Sequence, residues 1–270
     1  MHTTLQRIID FHNHIFPENI VEKATGFLGD YYRVPIEKSG LLEDLFISAD
    51  EVNIETLVVH ATATKASQVQ SINNYIAETA KSRPRLVGFG SMHPDMEDPK
   101  SEFARMKALG LRGIKLHPDF QGFKFDCDRA LKMLDVNDGS LPVLVHAGDE
   151  TSDNSSPKRI SNAMKRFPHI TFIAAHLGGY RAWDEAGEHL SGQNIYYDSS
   201  SSLWVLSPEE AVKIIRAHGV EKVLYGTDYP MSGHASEMAR FLKLSLTKEE
   251  QEKILFHNAD KLLQHFKLKG

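Results

Sequence analysis

The chain has 270 residues, of which 41% are hydrophobic and 25% are charged, so it can build one large barrel or two small domains around a hydrophobic core. Lys and Arg number 31 against 36 Asp and Glu, which gives a net charge of -5. No run of basic residues could follow a phosphate backbone, and this argues against a nucleic-acid partner.

Short apolar runs rich in β-branched residues recur along the chain, as expected for buried strands. The first is RIIDFHNH at 7–14. Seven more lie at 54–61, 85–92, 111–117, 141–148, 169–179, 194–200 and 221–228. The sequence therefore predicts eight strands.

Helical patterns fall between these strands. The clearest cover 67–82, 101–109, 128–136 and 207–218. Ser207 suits the N-cap of the last one and Pro208 its first helical position, because proline needs no hydrogen-bond partner there. Glycines suit the helix ends, where a left-handed residue is common, namely Gly110, Gly139 and Gly219.

Strands that alternate with helices predict a parallel sheet, because each helix carries the chain back across the sheet. Eight such units in about 250 residues are typical of a (β/α)₈ barrel, here a single domain over 1–270. A doubly wound sheet is the alternative, but FHNHIFP stands where its Gly-rich phosphate loop would follow the first strand. Residues 15–53 are long for one connection and could form a lid or a packing insertion.

The first strand ends in two histidines one residue apart. Side chains alternate along a strand, so Asp10, His12 and His14 are predicted to face the barrel interior, and Ile9 and Phe11 to face the helices. Two imidazoles on one face of a strand can share a metal ion.

Polar residues also end the other strands, and in a (β/α)₈ barrel those ends carry the active site. They are His60, His93, Lys115, His117, His146, His176, Asp198 and Asp228. A single histidine after an apolar run is commonly a hydrogen-bonded structural residue, which is how we interpret His60, His93 and His117. His146, His176 and Asp228 join the first pair to give histidines and one carboxylate, a set that suits a divalent transition metal such as zinc.

Five motifs, in this order, resemble the amidohydrolase superfamily: His-x-His on strand 1, GIKLHP on strand 4, VHAG on strand 5, HLGG on strand 6 and GTDYP on strand 8. The resemblance extends from residue 8 to at least 231. It points to the amidohydrolase-2 branch, which includes aminocarboxymuconate-semialdehyde decarboxylase-like proteins, and it implies a distorted amidohydrolase-type barrel.

The resemblance also implies roles for individual residues. His12, His14, His146 and Asp228 would bind one divalent metal, with zinc the first choice and manganese, iron or cobalt as alternatives. His176 would contact the metal-bound water or the substrate, and Asp10 would orient a ligating imidazole.

Lys115 stands near the place where superfamily members with two metals carry a carboxylated lysine. A buried amine needs a partner or a modification, so three roles stay open for Lys115: a bridge to a second metal, an anchor for a substrate carboxylate, or an ion pair. TatD-like nucleases usually carry a Glu ligand on that strand, so Lys115 and the acidic balance both count against a DNA substrate.

Two reactions fit this set of residues, and of these we expect hydrolysis. In hydrolysis of an amide, ester or lactone, Asp228 would take the proton of a metal-activated water and His176 would stabilise the oxyanion. The alternative is non-oxidative decarboxylation of an unsaturated or aromatic acid, with Lys115, Arg181 or Arg33 as the cationic partner. Trp204 would either line the pocket and favour a planar substrate or pack against the following helix. A barrel that binds a metal or ligand without catalysis is the third interpretation.

The cellular setting follows from what the sequence lacks. One cysteine, Cys127, cannot form an internal disulfide, and it is interpreted as a helix-packing residue of a protein in reducing cytoplasm. The N-terminal MHTTLQR has no signal-peptide pattern, and no apolar run reaches the roughly 18 residues that span a bilayer. We expect a small-molecule substrate, no membrane partner and, by family habit, a homodimer.

Overall fold

The structure, a computed structural model, describes residues 7–267. Eight parallel strands follow one another around a ring, each paired with its neighbours in the chain. They are β1 (Ile9–His14), β2 (Thr56–His60), β3 (Leu86–Gly88 and Gly90–Ser91), β4 (Ile114–Leu116), β5 (Val143–Val145), β6 (Phe172–Ala174), β7 (Tyr196–Asp198) and β8 (Val223–Leu224).

Two places decide whether the ring closes. At Phe89, which separates the two parts of β3, the flanking backbone bonds continue: Phe89 N donates to Val59 O and Gly90 N donates to Gly113 O, both at 2.9 Å. Between the last strand and the first, Phe11 N donates to Tyr225 O and Asp228 N donates to His12 O, again at 2.9 Å. These bonds close the ring, and the predicted (β/α)₈ barrel is confirmed.

Helices connect and surround the strands. Their bounds are α1 (Val21–Tyr32), α2 (Leu42–Asp50), α3 (Val69–Lys81), α4 (Pro99–Ala108), α5 (Pro118–Gln121), α6 (Asp128–Leu134), α7 (Pro157–Arg166), α8 (Trp183–His189), α9 (Pro208–His218), α10 (His234–Phe241), α11 (Lys248–Glu252) and α12 (Asn258–His265). A π-helical turn, Lys253–His257, joins the last two, and short 3₁₀ turns lie at Ala66–Gln68, His176–Gly178 and Val220–Lys222.

The four predicted helices correspond to α3, α4, α6 and α9, and the predicted capping of α9 is confirmed. Ser207 accepts a hydrogen bond from Glu210 N at its N-terminus, while the Glu210 side chain accepts one from Ser207 N. Gly110 and Gly139 adopt φ of 81° and 83°, as expected where a helix ends and the chain reverses.

Two hydrophobic cores result from the alternation of side chains along the strands. One core packs strand residues such as Ile114 and Leu116 against the surrounding helices. The other fills the barrel, where Phe11 and Phe89 meet edge to face with ring centroids 5.6 Å apart. Residues of the π turn and α12 join this inner core, so the C-terminal helix covers the N-terminal end of the barrel and leaves the other end for the site.

The predicted facing of β1 is wrong in its first half. Asp10 pairs with Leu57 and Asn13 with Val59, so β1 holds one residue more than β2 between these points. This bulge resets the alternation, because an extra residue turns the following side chains to the opposite face. Ile9 and Phe11 therefore lie in the inner core and Asp10 points away from it, while His12 and His14 still face the barrel mouth.

The long connection at 15–53 consists of α1 and α2, and α1 ends beside the barrel mouth with Tyr32. Among residues 7–267, no helix is long and apolar enough to cross a membrane.

Close packing inside the barrel yields a stability prediction. A methyl group at Gly113 would lie 2.3 Å from Cε2 of Phe89, far inside van der Waals contact, and Phe89 is fully buried among other side chains. We expect Gly113→Ala to lower the free energy of unfolding by about 1–3 kcal/mol, measured by urea denaturation. The control is Gly187→Ala in α8, where nothing lies within 4 Å and alanine should stabilise the helix by about 0.5–1 kcal/mol. Equal effects of the two substitutions would contradict this account of the barrel interior.

Candidate metal centre and active-site pocket

Three donor atoms form a triangle at the barrel mouth. Two come from β1 and the third from the loop after β8. His12 Nε2 lies 3.3 Å from His14 Nε2 and 3.3 Å from Asp228 Oδ1, and the third side, from His14 Nε2 to Asp228 Oδ1, is 3.5 Å. Ligands bound tetrahedrally at about 2.0–2.1 Å are spaced by about 3.4 Å. The triangle therefore fits one face of the coordination shell of a divalent ion.

The tautomer of His12 is set by Asp198, at the end of β7. Asp198 Oδ2 lies 2.8 Å from His12 Nδ1, and a carboxylate can only accept, so Nδ1 carries the proton and Nε2 presents its lone pair to the triangle. The other oxygen, Oδ1, accepts from the backbone N–H groups of His176 and Ser200 at 3.1 and 3.0 Å. Asp198 thus has the orienting role that the sequence analysis gave to Asp10, and its position at a strand end, in YYDSSSS, was the available signal.

The Asp10 carboxylate lies elsewhere. Its Oδ1 accepts from the backbone N–H groups of His12 and Thr227 at 2.9 and 3.1 Å, and Oδ2 is 3.2 Å from His234 Nε2. The bulge in β1 is the reason, because it turns Asp10 out of the barrel. Asp10 therefore ties the backbone of β1 to the loop that carries Asp228 and contacts neither imidazole of the triangle.

Burial keeps the histidines of the site neutral. Desolvation lowers the pKa of His12 and His14 well below the usual value, and the nearby Lys115 ammonium lowers it further. A neutral imidazole is the form that binds a metal ion. The electrostatics therefore favour ligand-competent histidines.

Asp228 occupies a strained and desolvated position. Burial raises the pKa of its carboxyl to about 6, although the hydrogen bond from Ser201 Oγ to Oδ2, 2.5 Å long, acts in the opposite direction. Its φ is 62°, and Ser201 and His176 also have positive φ, at 50° and 61°. Such residues each cost about 1–3 kcal/mol and cluster where function requires a fixed geometry.

His176 and His146 lie next to each other, but only one of them reaches the triangle. One ring nitrogen of His176 lies within 4.8 Å of a ring nitrogen of His12 and of a carboxylate oxygen of Asp228, and those two atoms are equally close to each other. His146 instead stacks on His117, with ring centroids 3.8 Å apart, and its Nδ1 is 2.9 Å from His176 Nε2. The structure thus brings His146 to His176 and not into the triangle.

A directed hydrogen-bond chain links these rings to α1. His176 Nδ1 lies 2.9 Å from Ser200 O and must donate to it, so Nε2 accepts from His146 Nδ1. Tyr32 Oη is 3.4 Å from His146 Nε2 and 3.0 Å from His117 Nε2, and His117 Nδ1 accepts from Phe120 N at the other end. Because both ends are fixed by the backbone, every proton in the chain has one consistent place.

Lys115 is fully buried beneath the triangle, with Nζ 2.9 Å from His12 Nε2. Burial lowers the pKa of Lys115 to about 8, against the opposing charges of Asp228 and Asp198. Within residues 7–267, no carboxylate oxygen lies within 4.0 Å of Nζ, and Lys115 is absent from the pocket wall. The direct ion pair is therefore not formed, and the amine contacts a candidate ligand instead.

Two of the three histidines first interpreted as structural belong to the site. His60 groups with His12 and His14, and its two ring nitrogens have no hydrogen-bond partner. His117 lines the pocket beside His146. His93 alone has the expected structural role, since its Nδ1 accepts from Asp95 N at 3.2 Å.

A pocket opens over the triangle between α1 and the strand ends. Its walls combine aromatic rings with the histidines and Asp228; the residues are His14, Leu28, Tyr32, His117, Phe120, His146, His176, Tyr180, Ser201, Trp204, Asp228 and Met231. Trp204 thus lines the pocket, one of the two positions that the sequence left open. Arg181 instead faces Glu150, with Nε 3.3 Å from Oε1, and Arg33 caps the end of α1 beside an open groove.

Comparisons with known proteins agree with this site. A family model described as Amidohydrolase matches residues 9–264, and the chain belongs to this family. It is an enzyme family, and the donor clusters fit a divalent metal ion. No curated protein matches in sequence.

Solved structures show the same fold at low sequence identity. One is 5-carboxyvanillate decarboxylase from Sphingomonas paucimobilis, with TM-score 0.76, 14% identity, and coverage of 96% of this chain and 99% of the other. Another is a dihydroxybenzoic acid decarboxylase from a Polaromonas species with bound manganese and the inhibitor 2-nitroresorcinol, with TM-score 0.73, 16% identity, and coverage of 96% and 97%. A third is described as a probable 2-pyrone-4,6-dicarboxylic acid hydrolase from Acinetobacter baumannii, with TM-score 0.69, 19% identity, and coverage of 96% and 99%.

The contact between Asp198 and His12 yields a prediction. In Asp198→Asn, the amide Oδ1 can still accept from the two backbone N–H groups, but Nδ2 can only donate to His12 Nδ1. The ring proton then moves to Nε2 and removes the lone pair from the triangle. We expect a 10- to 100-fold rise in the metal dissociation constant, measured by chelator competition.

The control for this substitution is Asp126→Asn, which changes a carboxylate held by Arg159 and Asn162 outside the site. It should leave the metal dissociation constant unchanged. An Asp198→Asn protein that binds metal as tightly as the wild type would show that Asp198 does not set the tautomer of His12.

Proposed function

We propose that the protein catalyses the non-oxidative decarboxylation of an aromatic or unsaturated carboxylic acid, with one divalent metal ion bound by His12, His14 and Asp228. The observation that carries the proposal is a pocket with aromatic walls directly over a metal-binding triangle that includes a carboxyl group. Planar rings such as Tyr32, Phe120 and Trp204 suit a flat substrate.

The decarboxylase route requires a positive charge beside the substrate carboxylate. Among the described residues that line the pocket, none is Lys or Arg, so a substrate carboxylate would have no cationic side chain beside it. The decarboxylase route predicted from sequence named Lys115, Arg181 and Arg33 for that role, and none of the three lines the pocket. A divalent ion held at the triangle would therefore supply the positive charge beside the carboxylate.

The solved structures with this fold also favour the proposal. The Sphingomonas and Polaromonas proteins are both named as decarboxylases of hydroxylated or methoxylated benzoic acids. The Polaromonas protein contains manganese, so manganese stands beside zinc as a candidate metal for this chain. A second metal would require carboxylation of Lys115.

The bound ion and two residues of the site would have separate roles in this reaction. A bound divalent ion would hold a substrate oxygen next to the carboxylate and withdraw electron density from the ring. Asp228 would hold the ion through Oδ1, while its other oxygen, Oδ2, would carry a proton to the carbon that bears the carboxylate. As the bond to the carboxylate breaks, its electron pair returns to the ring and carbon dioxide leaves; a water molecule then restores the proton of Asp228. His176, whose two ring nitrogens pair with the Ser200 carbonyl and with His146, would orient the substrate by packing against it in the pocket wall.

Hydrolysis of an amide, ester or lactone is the second candidate. The Acinetobacter protein, described as a probable hydrolase of a pyrone dicarboxylic acid, has the same fold. In that reaction Asp228 would accept the proton of the attacking water, and the same pocket would hold the carbonyl compound. We expect a small-molecule substrate in either case.

A substrate panel separates the two candidates. We expect the metal-loaded protein to release carbon dioxide from hydroxybenzoic or muconate-type acids, detected by a coupled bicarbonate assay and by loss of substrate absorbance. The same preparation should leave lactones, esters and amides unchanged. Turnover of those compounds without gas release would establish hydrolysis and reject decarboxylation.

Substitution of Asp228 tests its proton-transfer role. Asparagine cannot supply a proton to carbon, so Asp228→Asn should lower kcat by at least about 100-fold. Metal content must be measured on the same sample, because Asp228 also belongs to the triangle. A variant that keeps both its metal and its full turnover would remove Asp228 from the mechanism.

A further inference from the structure

His60 is buried with no partner for either ring nitrogen. It ends β2, its exposed fraction is 0%, and neither Nδ1 nor Nε2 makes a hydrogen bond. Every neutral imidazole has one N–H donor and one lone pair, and an unpaired buried polar group costs about 1–3 kcal/mol. A fully buried histidine in this state implies that something else pairs with the ring.

The surroundings of His60 point to the partner. Its ring lies against the two histidines of the triangle, with centroids 4.8 Å from His12 and 4.4 Å from His14, at angles of 76° and 89° to them. One nitrogen of each of the three rings lies within 4.8 Å of the other two. The β1 and β2 backbones fix this arrangement, because His14 and His60 are paired in register.

We propose that His60 is a further ligand of the metal ion bound at the barrel mouth, on the β2 side of the triangle. The inference rests on the metal-binding part of the proposed function and adds a residue that the motif resemblance does not include. Opposite ligands in an octahedral shell lie about 4.2 Å apart, so small side-chain rotations bring all three imidazoles to one ion.

The test is metal binding, measured independently of turnover. His60→Gln keeps a polar side chain of similar length but removes the imidazole. We expect its dissociation constant for zinc or manganese to rise by 10- to 100-fold in chelator competition. The cobalt-substituted variant should also show a changed visible absorption spectrum, because one nitrogen ligand has been lost. A role limited to packing would leave that spectrum unchanged.

The matched control is His93→Gln. His93 is a buried histidine just after the next strand, but its Nδ1 already has a backbone partner and it belongs to none of the donor groups found in residues 7–267. It should keep the wild-type dissociation constant and the wild-type cobalt spectrum.

A second variant covers the case in which His60→Gln does not fold, as judged by circular dichroism. His60→Asp retains a donor atom and should bind cobalt with an oxygen in place of a nitrogen, which again changes the spectrum. The proposal would be overturned if the variant that folds kept both the wild-type metal dissociation constant and the wild-type cobalt spectrum. The partners of the His60 nitrogens would then be buried water molecules.

Failure here can be told apart from failure of the proposed function. Carbon dioxide release combined with unchanged metal binding in His60→Gln would reject only the ligand role of His60. Weakened metal binding in the variant, combined with no carbon dioxide release by the wild type, would reject only the decarboxylase proposal.

Discussion

The hydrogen bond between His12 Nδ1 and Asp198 Oδ2 is the contact on which the site depends. It joins β1 to β7, two strands away around the ring, and it decides which nitrogen of His12 is free. His12 is the residue that both donor groups at the triangle share, one with His14 and His60 and the other with His176 and Asp228. Since Asp198 also accepts from the backbone of His176 and Ser200, a single buried carboxylate sets the tautomer of one side chain and the position of the loops around it.

The architecture was predictable because it depends on patterns that the sequence states directly. Apolar runs at regular spacing gave eight strands, and the capping residues of α9 marked its start and end. Helices such as α7 and α8 were not predicted, because they carry many charged residues and their apolar positions are few. The location of Trp204 and Asp228 at the mouth followed from the rule that strand ends line the site of a barrel.

The individual contacts were less predictable, for two physical reasons. Alternation along a strand holds only while the register is unbroken, and the bulge in β1 reverses Asp10 while it leaves His12 and His14 in place. A histidine at a strand end also carries no local mark of its partners. His60 and His93 look alike in sequence, and only the packing shows that His93 bonds to the backbone while His60 faces two other imidazoles.

The charges beneath the pocket explain why a cation belongs there. Asp198 and Asp228 are both buried, and an uncompensated carboxylate in the interior is costly. Lys115 can balance one of them, and it now occupies the lone pair of His12 Nε2 at 2.9 Å. A divalent ion at the triangle needs the same lone pair, so ion binding would release the Lys115 amine from His12. Lysine and metal are therefore alternative partners of one nitrogen, which accounts for a buried amine that makes no direct ion pair among the described residues.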